Sequence, residues 1–173
     1  MAIYALGDLE PDIHPDAFVH PDAVIIGRVV IGERSTVWPA AVIRGDLDAG
    51  IRIGARTSIQ DGSVIHTTHV QPTTVGDDCT VGHLVHLEGC IIEDGCLIGS
   101  GSVVLHRARV ESGALVAAAA LVPGGMVVPA GAMALGVPAR INEGAANPEM
   151  IARATAAYVQ NCDRYRRELR RLD

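Results

Sequence analysis

The chain contains no lysine, and aromatic side chains make up only 3% of its 173 residues. Its 14 arginines face 20 acids, so the net charge is −6 and the basic face that nucleic-acid binding requires is missing. The six arginines between Arg153 and Arg171 have acids among them and recur with a helical pattern, which fits a solvated face or a subunit contact. No apolar run approaches the roughly 20 residues of a membrane span. The four cysteines, Cys79, Cys90, Cys96 and Cys162, form no CxxC pair, and the opening MAIYALGDLE has no basic and apolar leader pattern. A soluble, cytoplasmic protein with reduced thiols, and with neither nucleic acid nor membrane as partner, is therefore expected. With so few aromatics among 49% apolar residues, the core has to be built from Val, Ile, Leu and Ala. That suits many short, closely spaced strands better than a bulky bundle.

What the chain has instead is a period of six. Ile13, Val19, Ile25, Ile31, Val37 and Ile43 recur at six-residue steps, and after a four-residue insertion the series resumes at Ile53, Ile59 and Ile65. A second four-residue insertion leads to Val75, Val81 and Leu87; one five-residue step then opens a run of six-residue steps from Ile92 to Val128. The residue four after each aliphatic is small or apolar almost throughout, as at Ala41, Ser63, Cys79, Val85 and Cys96. It lies two before the next aliphatic, so both face one side of a short strand. Glycine often follows the aliphatic residue, as in Ile31-Gly32 and Val75-Gly76, where a side chain would obstruct a close turn. Such periodicity signals a parallel β-helix, an all-β solenoid, over roughly residues 11 to 135.

The end of the chain changes character. Asn147-Pro148-Glu149 reads as an N-cap, a proline at the first helical position and an acid in the first turn. Ile151, Ala154, Tyr158, Cys162, Tyr165, Leu169 and Leu172 follow at spacings of three and four, one apolar helix face. The expected organisation is a β-helix domain over residues 1–146 and an amphipathic α-helix over 147–173. That helix would pack along the β-helix or against a neighbouring subunit.

The repeat allows polar residues to be placed. The repeat resembles that of hexapeptide-repeat proteins, in which three hexads make one triangular coil; the hexads that start at Ile43, Ile65 and Leu87 would then lie one coil above another, so Arg44, His66 and Glu88 should form an outward column. Coils are separated by about 4.8 Å, close enough for two such side chains to share a metal ion. His86 also points outward, while Gln60 and His83 lie near a neighbouring corner. A triangular prism with flat aliphatic-rich faces tends to trimerise, and His83 from the next subunit could complete a site made by His66 with His86 or Glu88. Zinc takes neutral imidazole or carboxylate ligands, commonly three plus an open position in catalytic sites.

Four segments carry a family resemblance: Val42-Ile43-Arg44-Gly45-Asp46, Ser58-Ile59-Gln60-Asp61-Gly62-Ser63-Val64-Ile65-His66-Thr67, Val81-Gly82-His83 and Ala134-Leu135-Gly136-Val137-Pro138-Ala139-Arg140. Together they make the chain resemble the γ-class carbonic anhydrases over nearly its whole length. The resemblance implies a left-handed β-helix of hexapeptide repeats. It also implies a homotrimer with Zn2+ (or Fe2+ or Co2+) at each subunit interface, and the carbonate dehydratase (lyase) reaction. In that reaction carbon dioxide and bicarbonate interconvert through a hydroxide held on the metal. In the resemblance His66 is a metal ligand, and His83 is the ligand donated across the interface. Arg44 and Asp46 match an interface ion pair. Gln60 orients the reacting water or hydroxide, and Asp61 beside it belongs to the same catalytic motif.

The third ligand of that pattern, a histidine five residues after His83, is here Glu88. His86 stands where an aliphatic residue is usual, and Ser58 where an asparagine is usual. Two readings of the third position stay open. In one, Glu88 serves as the ligand, which cancels one unit of metal charge and weakens hydroxide formation. Alternatively, His86 takes the place and Glu88 becomes the acceptor that fixes an imidazole. His69 is a loop residue within reach as a proton shuttle, while His14 and His20 read as structural or exposed. Two other functions compete: an acyltransferase using acetyl coenzyme A, with His106 as base, and a non-catalytic metal- or small-ligand-binding trimer.

Overall fold

The computed structural model describes residues 2–173. Its strands are only two to four residues long, and each pairs with the strand three places further along the chain. Three sheets result, of seven, seven and eight strands, and they form the faces of a left-handed parallel β-helix with about seven turns. Pairing is parallel throughout except at the C-terminal end, where Arg140–Asn142 folds back antiparallel on Met133–Leu135. The register follows the six-residue arithmetic. Ile25 pairs with Ile43, and Ile43 with Ile65, the longer second step absorbing the first four-residue insertion.

The recurring aliphatics point into the prism and stack in three columns, one per face. Ile25, Ile43, Ile65 and Leu87 form one, Ile31, Ile53, Val75 and Ile92 a second, and Val37, Ile59, Val81 and Ile98 the third, all almost completely buried. Each contributes roughly 1.5–3 kcal/mol by leaving water. The small residues between them line the corners. Ser35 Oγ donates to the Gly54 carbonyl at 2.6 Å, and Thr57 Oγ1 to the Gly76 carbonyl at 2.7 Å. Cys79 Sγ continues the same spine, donating to the Glu93 carbonyl at 3.0 Å. Cys79 and Cys96 are thus core side chains in a column that carries hydroxyls in the coils before.

The glycines after the inward aliphatics are required by close approach. A Cβ on Gly32 would lie 2.6 Å from the Gly54 carbonyl carbon, and one on Gly54 2.5 Å from that of Gly76. The left-handed turns come two residues later, at Arg34, Arg56 and Asp78, which are not glycines. There Arg56 stacks on Asp78 through two contacts of 2.7 Å.

The C-terminal helix, Pro148–Glu168, starts as the sequence indicates: Asn147 accepts from the Met150 amide at 3.0 Å and proline follows. It crosses the eight-stranded sheet from Thr80–Val81 back toward Phe18–Val19. Ile151, Thr155 and Cys162 are buried, and Tyr158 and Tyr165 pack on Phe18 and Trp38. The expected apolar face is longer than the helix: Leu169 already has extended backbone, and Leu172 is 85% exposed. Tyr165 and Arg166 dock the last helical turn on the coils, the latter bonded to Asp16, and the residues after it face His20, Pro21 and Asp22 across a groove.

Candidate metal centre

Three successive strands of one seven-stranded sheet, Val42–Gly45, Val64–His66 and His86–Glu88, bring the polar residues together. Their register sets Arg44, His66 and Glu88 side by side, and Val42, Val64 and His86 in a second row two residues back. Because Ile43, Ile65 and Leu87 point inward, both rows face out. The second row is part of an aliphatic stripe of Val24, Val42, Val64, Val103 and Leu121, which His86 interrupts.

The outward column is wired laterally. Arg44 donates to Asp46 Oδ2, and His66 donates through Nε2 to Asp46 Oδ1 at 3.0 Å. Partial burial works against a charge on Asp46, but the hydrogen bonds from His66 and Arg44 outweigh it and hold its carboxyl below the usual range. With Nε2 bonded to Asp46, the Nδ1 lone pair of His66 is free, and it lies 4.0 Å from Glu88 Oε1. The other oxygen, Oε2, accepts from His86 Nε2 at 3.2 Å.

The neighbouring corner carries Gln60, Asp61 and His83. Gly62 and Leu84 take the left-handed turns there, and His83 donates through Nδ1 to Asp61 at 2.9 Å. That leaves Nε2 of His83 as a free lone pair on a side chain that is 51% exposed. Among the described residues of one chain, no three of His, Cys, Asp and Glu gather tightly enough to hold an ion. His66 and Glu88 nevertheless suit a divalent metal as a pair. Two donors on a tetrahedral zinc lie roughly 3.3 Å apart, given bonds of about 2.0–2.1 Å, and a small rotation of either side chain closes their gap.

Sequence reasoning did not connect Tyr158 or Trp38 with this region. Tyr158 comes off the helix against Gln60. Burial and the Asp61 charge push its phenol upward, with Gln60 pulling the other way. The signal was its polar tip among otherwise apolar inward helix positions. Ser58, which replaces the usual asparagine, is buried, and its hydroxyl is taken by Thr36 and the Trp38 indole, each at 3.0 Å. His14 and His20 each accept from a backbone amide two residues on and are local turn residues. His69 is exposed on the second insertion, and His106 stands over the corner at Gly89 and Gly124.

The fold and this column define a class: a hexapeptide-repeat β-helix carrying an imidazole and carboxylate array on one face. The bacterial transferase hexapeptide (six repeats) family matches residues 10–45 and 72–106. The carbonic anhydrase of Geobacillus kaustophilus (strain HTA426) is 40% identical over 166 residues, covering 96% of this chain and 86% of that one. Gamma carbonic anhydrase 1, mitochondrial, of Arabidopsis thaliana is 38% identical over 104 residues, 57% of this chain and 38% of that protein. Among solved structures, a Bacillus cereus protein named as an acetyltransferase candidate superposes with a TM-score of 0.93 at 34% identity, covering 97% of this chain and 98% of that one. Several other curated relatives match over shorter segments, and there the chain spans about half of their length. The chain belongs to the γ-class carbonic anhydrase family of hexapeptide-repeat proteins.

Proposed function

We propose that the protein is a metal-dependent enzyme that hydrates carbon dioxide reversibly, at sites shared between the subunits of a homotrimer. The observation that carries this reading is the in-register pair of His66 and Glu88, facing outward at 4.0 Å beside an uncovered aliphatic stripe. His83, on the adjacent corner with a free Nε2, is the donor that a second copy of the chain would bring. Zn2+ is the expected ion, with Fe2+ or Co2+ as substitutes. When bound, zinc would supply a nucleophile by lowering the pKa of water, to about 7 with three neutral ligands and less far with a carboxylate among them.

The chain's own residues prepare that chemistry. Asp46 accepts the Nε2 proton of His66 and so keeps the Nδ1 lone pair available, while Arg44 holds Asp46 in place. Asp61 does the same for His83 through Nδ1. Gln60, fixed by burial against Tyr158, is the group that orients the reacting water, with its amide supplying both a donor and an acceptor.

The likeness to an acetyltransferase candidate favours a second reading, acyl transfer from coenzyme A. A groove of about 560 Å3 on the flank of the helix, between Ile151, Thr155 and Val159, has no histidine in its lining to act as the base of that reaction. The third reading is a metal- or small-ligand-binding trimer without turnover. No helix among the described residues is long and apolar enough to cross a membrane.

Stopped-flow carbon dioxide hydration, read beside metal content and a calorimetric titration with coenzyme A, separates these functions. The metal-loaded protein should turn over carbon dioxide, and His66→Ala should lose both metal and activity. Coenzyme A binding without hydration would favour acyl transfer, and full metal occupancy without turnover the binding role.

A further inference from the structure

We infer that Glu88 is the third metal ligand and that His86 is a positioning residue that holds its carboxylate. This inference rests on the proposed metal site at His66. The register distinguishes the two candidates. Glu88 is the direct strand partner of His66, so the two side chains leave the sheet from adjacent rungs of one column. His86 is the partner of Val64 on one side and Val103 on the other, a step of two residues back along the strand, about 6.6–6.8 Å away.

The contacts divide the same way. One oxygen of Glu88, Oε1, turns to the free Nδ1 of His66, while the other, Oε2, takes the Nε2 proton of His86 at 3.2 Å. The carboxyl groups of Asp46 and Glu88 both lie beside His66, whereas among the described residues His86 has that of Glu88 alone. A carboxylate swings about two more bonds than its Cβ alone would allow, and a second anchor removes that freedom before a metal arrives. This explains why a histidine interrupts a stripe otherwise made of valine and leucine. The residue at position 86 serves the one at 88, and the two substitutions work as a unit. The resulting ligand set is two neutral imidazoles and one carboxylate, a donor set that suits Zn2+ and Co2+.

Cobalt binding to the full-length protein tests this without relying on turnover. Affinity is measured by chelator competition and the ligand set by the visible absorption of bound Co2+, with trimer content checked for each variant. Glu88→Gln should weaken binding more than about 100-fold and change the spectrum. His86→Val, which matches the neighbouring Val64 and Val103, should weaken it about 10- to 100-fold with the band pattern kept, as loss of an outer partner does. His86→Gln, which keeps an N–H donor, should recover most of that loss, and the Glu88→Gln, His86→Val double variant should bind no worse than Glu88→Gln alone. A changed spectrum in His86→Val together with near-normal binding in Glu88→Gln would overturn the assignment and make His86 the ligand. Unchanged binding in His66→Ala would overturn the metal-site reading itself, and this inference with it.

Discussion

Four of the five aromatic side chains, Phe18, Trp38, Tyr158 and Tyr165, meet in one cluster outside the prism, where the helix lies on the sheet. The prism interior is too narrow for them, and its columns take Val, Ile and Leu. At this scale the sequence was legible wherever phase decides direction: the six-residue period alone orients Arg44, His66 and Glu88 outward. It was silent on reach. Nothing in the spacing says that His86 bends toward Glu88, or that Tyr158 arrives beside Gln60, because both depend on side-chain torsions and on helix docking. The buried thiol of Cys90 gives a residue-scale prediction. Burial pushes it from the ordinary 9.0 to about 12. Below pH 9 both folded and unfolded chains keep the proton and the stabilisation is complete; between 9 and 12 the unfolded chain loses it first, so stability falls. Urea titrations across that window should show a decline steeper than in Cys90→Ala, by up to about 1.4 kcal/mol per pH unit. Equal slopes would show that the site is not sealed from water.

The elements divide into those that local chemistry specifies and those that packing ends. The solenoid strands fall where the aliphatics recur, and Asn147 caps the helix as its sequence signals. Replacing Asn147 with Ala should cost about 1 kcal/mol, since the Met150 amide loses its acceptor. Thermal melting should then drop by roughly 2–4 °C, and an unchanged midpoint would mean that the first turn carries no weight. The helix end was not legible. The spacing of Leu169 and Leu172 continues the apolar pattern, but the helix stops at Glu168, once Tyr165 and Arg166 have docked on Phe18 and Asp16, and Leu169 turns to extended backbone. Period describes a potential face, and only the partner surface decides how much of it is used.

For the whole molecule, the prism leaves one sheet with an outward stripe of Val24, Val42, Val64, Val103 and Leu121, and one corner with Leu84 70% exposed beside His83. In the proposed trimer a second copy of the chain covers this surface, and the same contact would carry His83 of one subunit to His66 and Glu88 of another. The flat faces were readable from the repeat, while the candidate site was readable only in part, because a single chain brings His66 and Glu88 together and keeps His83 apart. Mixing two inactive variants, His66→Ala and His83→Ala, tests that division most directly. In each variant every site lacks one ligand, but refolding them together at equal amounts makes some interfaces that pair an intact His66 with an intact His83. Random assembly of a cyclic trimer restores about one quarter of the sites. The account predicts carbon dioxide hydration near one quarter of the wild-type rate in the mixture and none in either variant alone. A mixture as inactive as its parents would contradict it, placing both histidines in sites built within one chain.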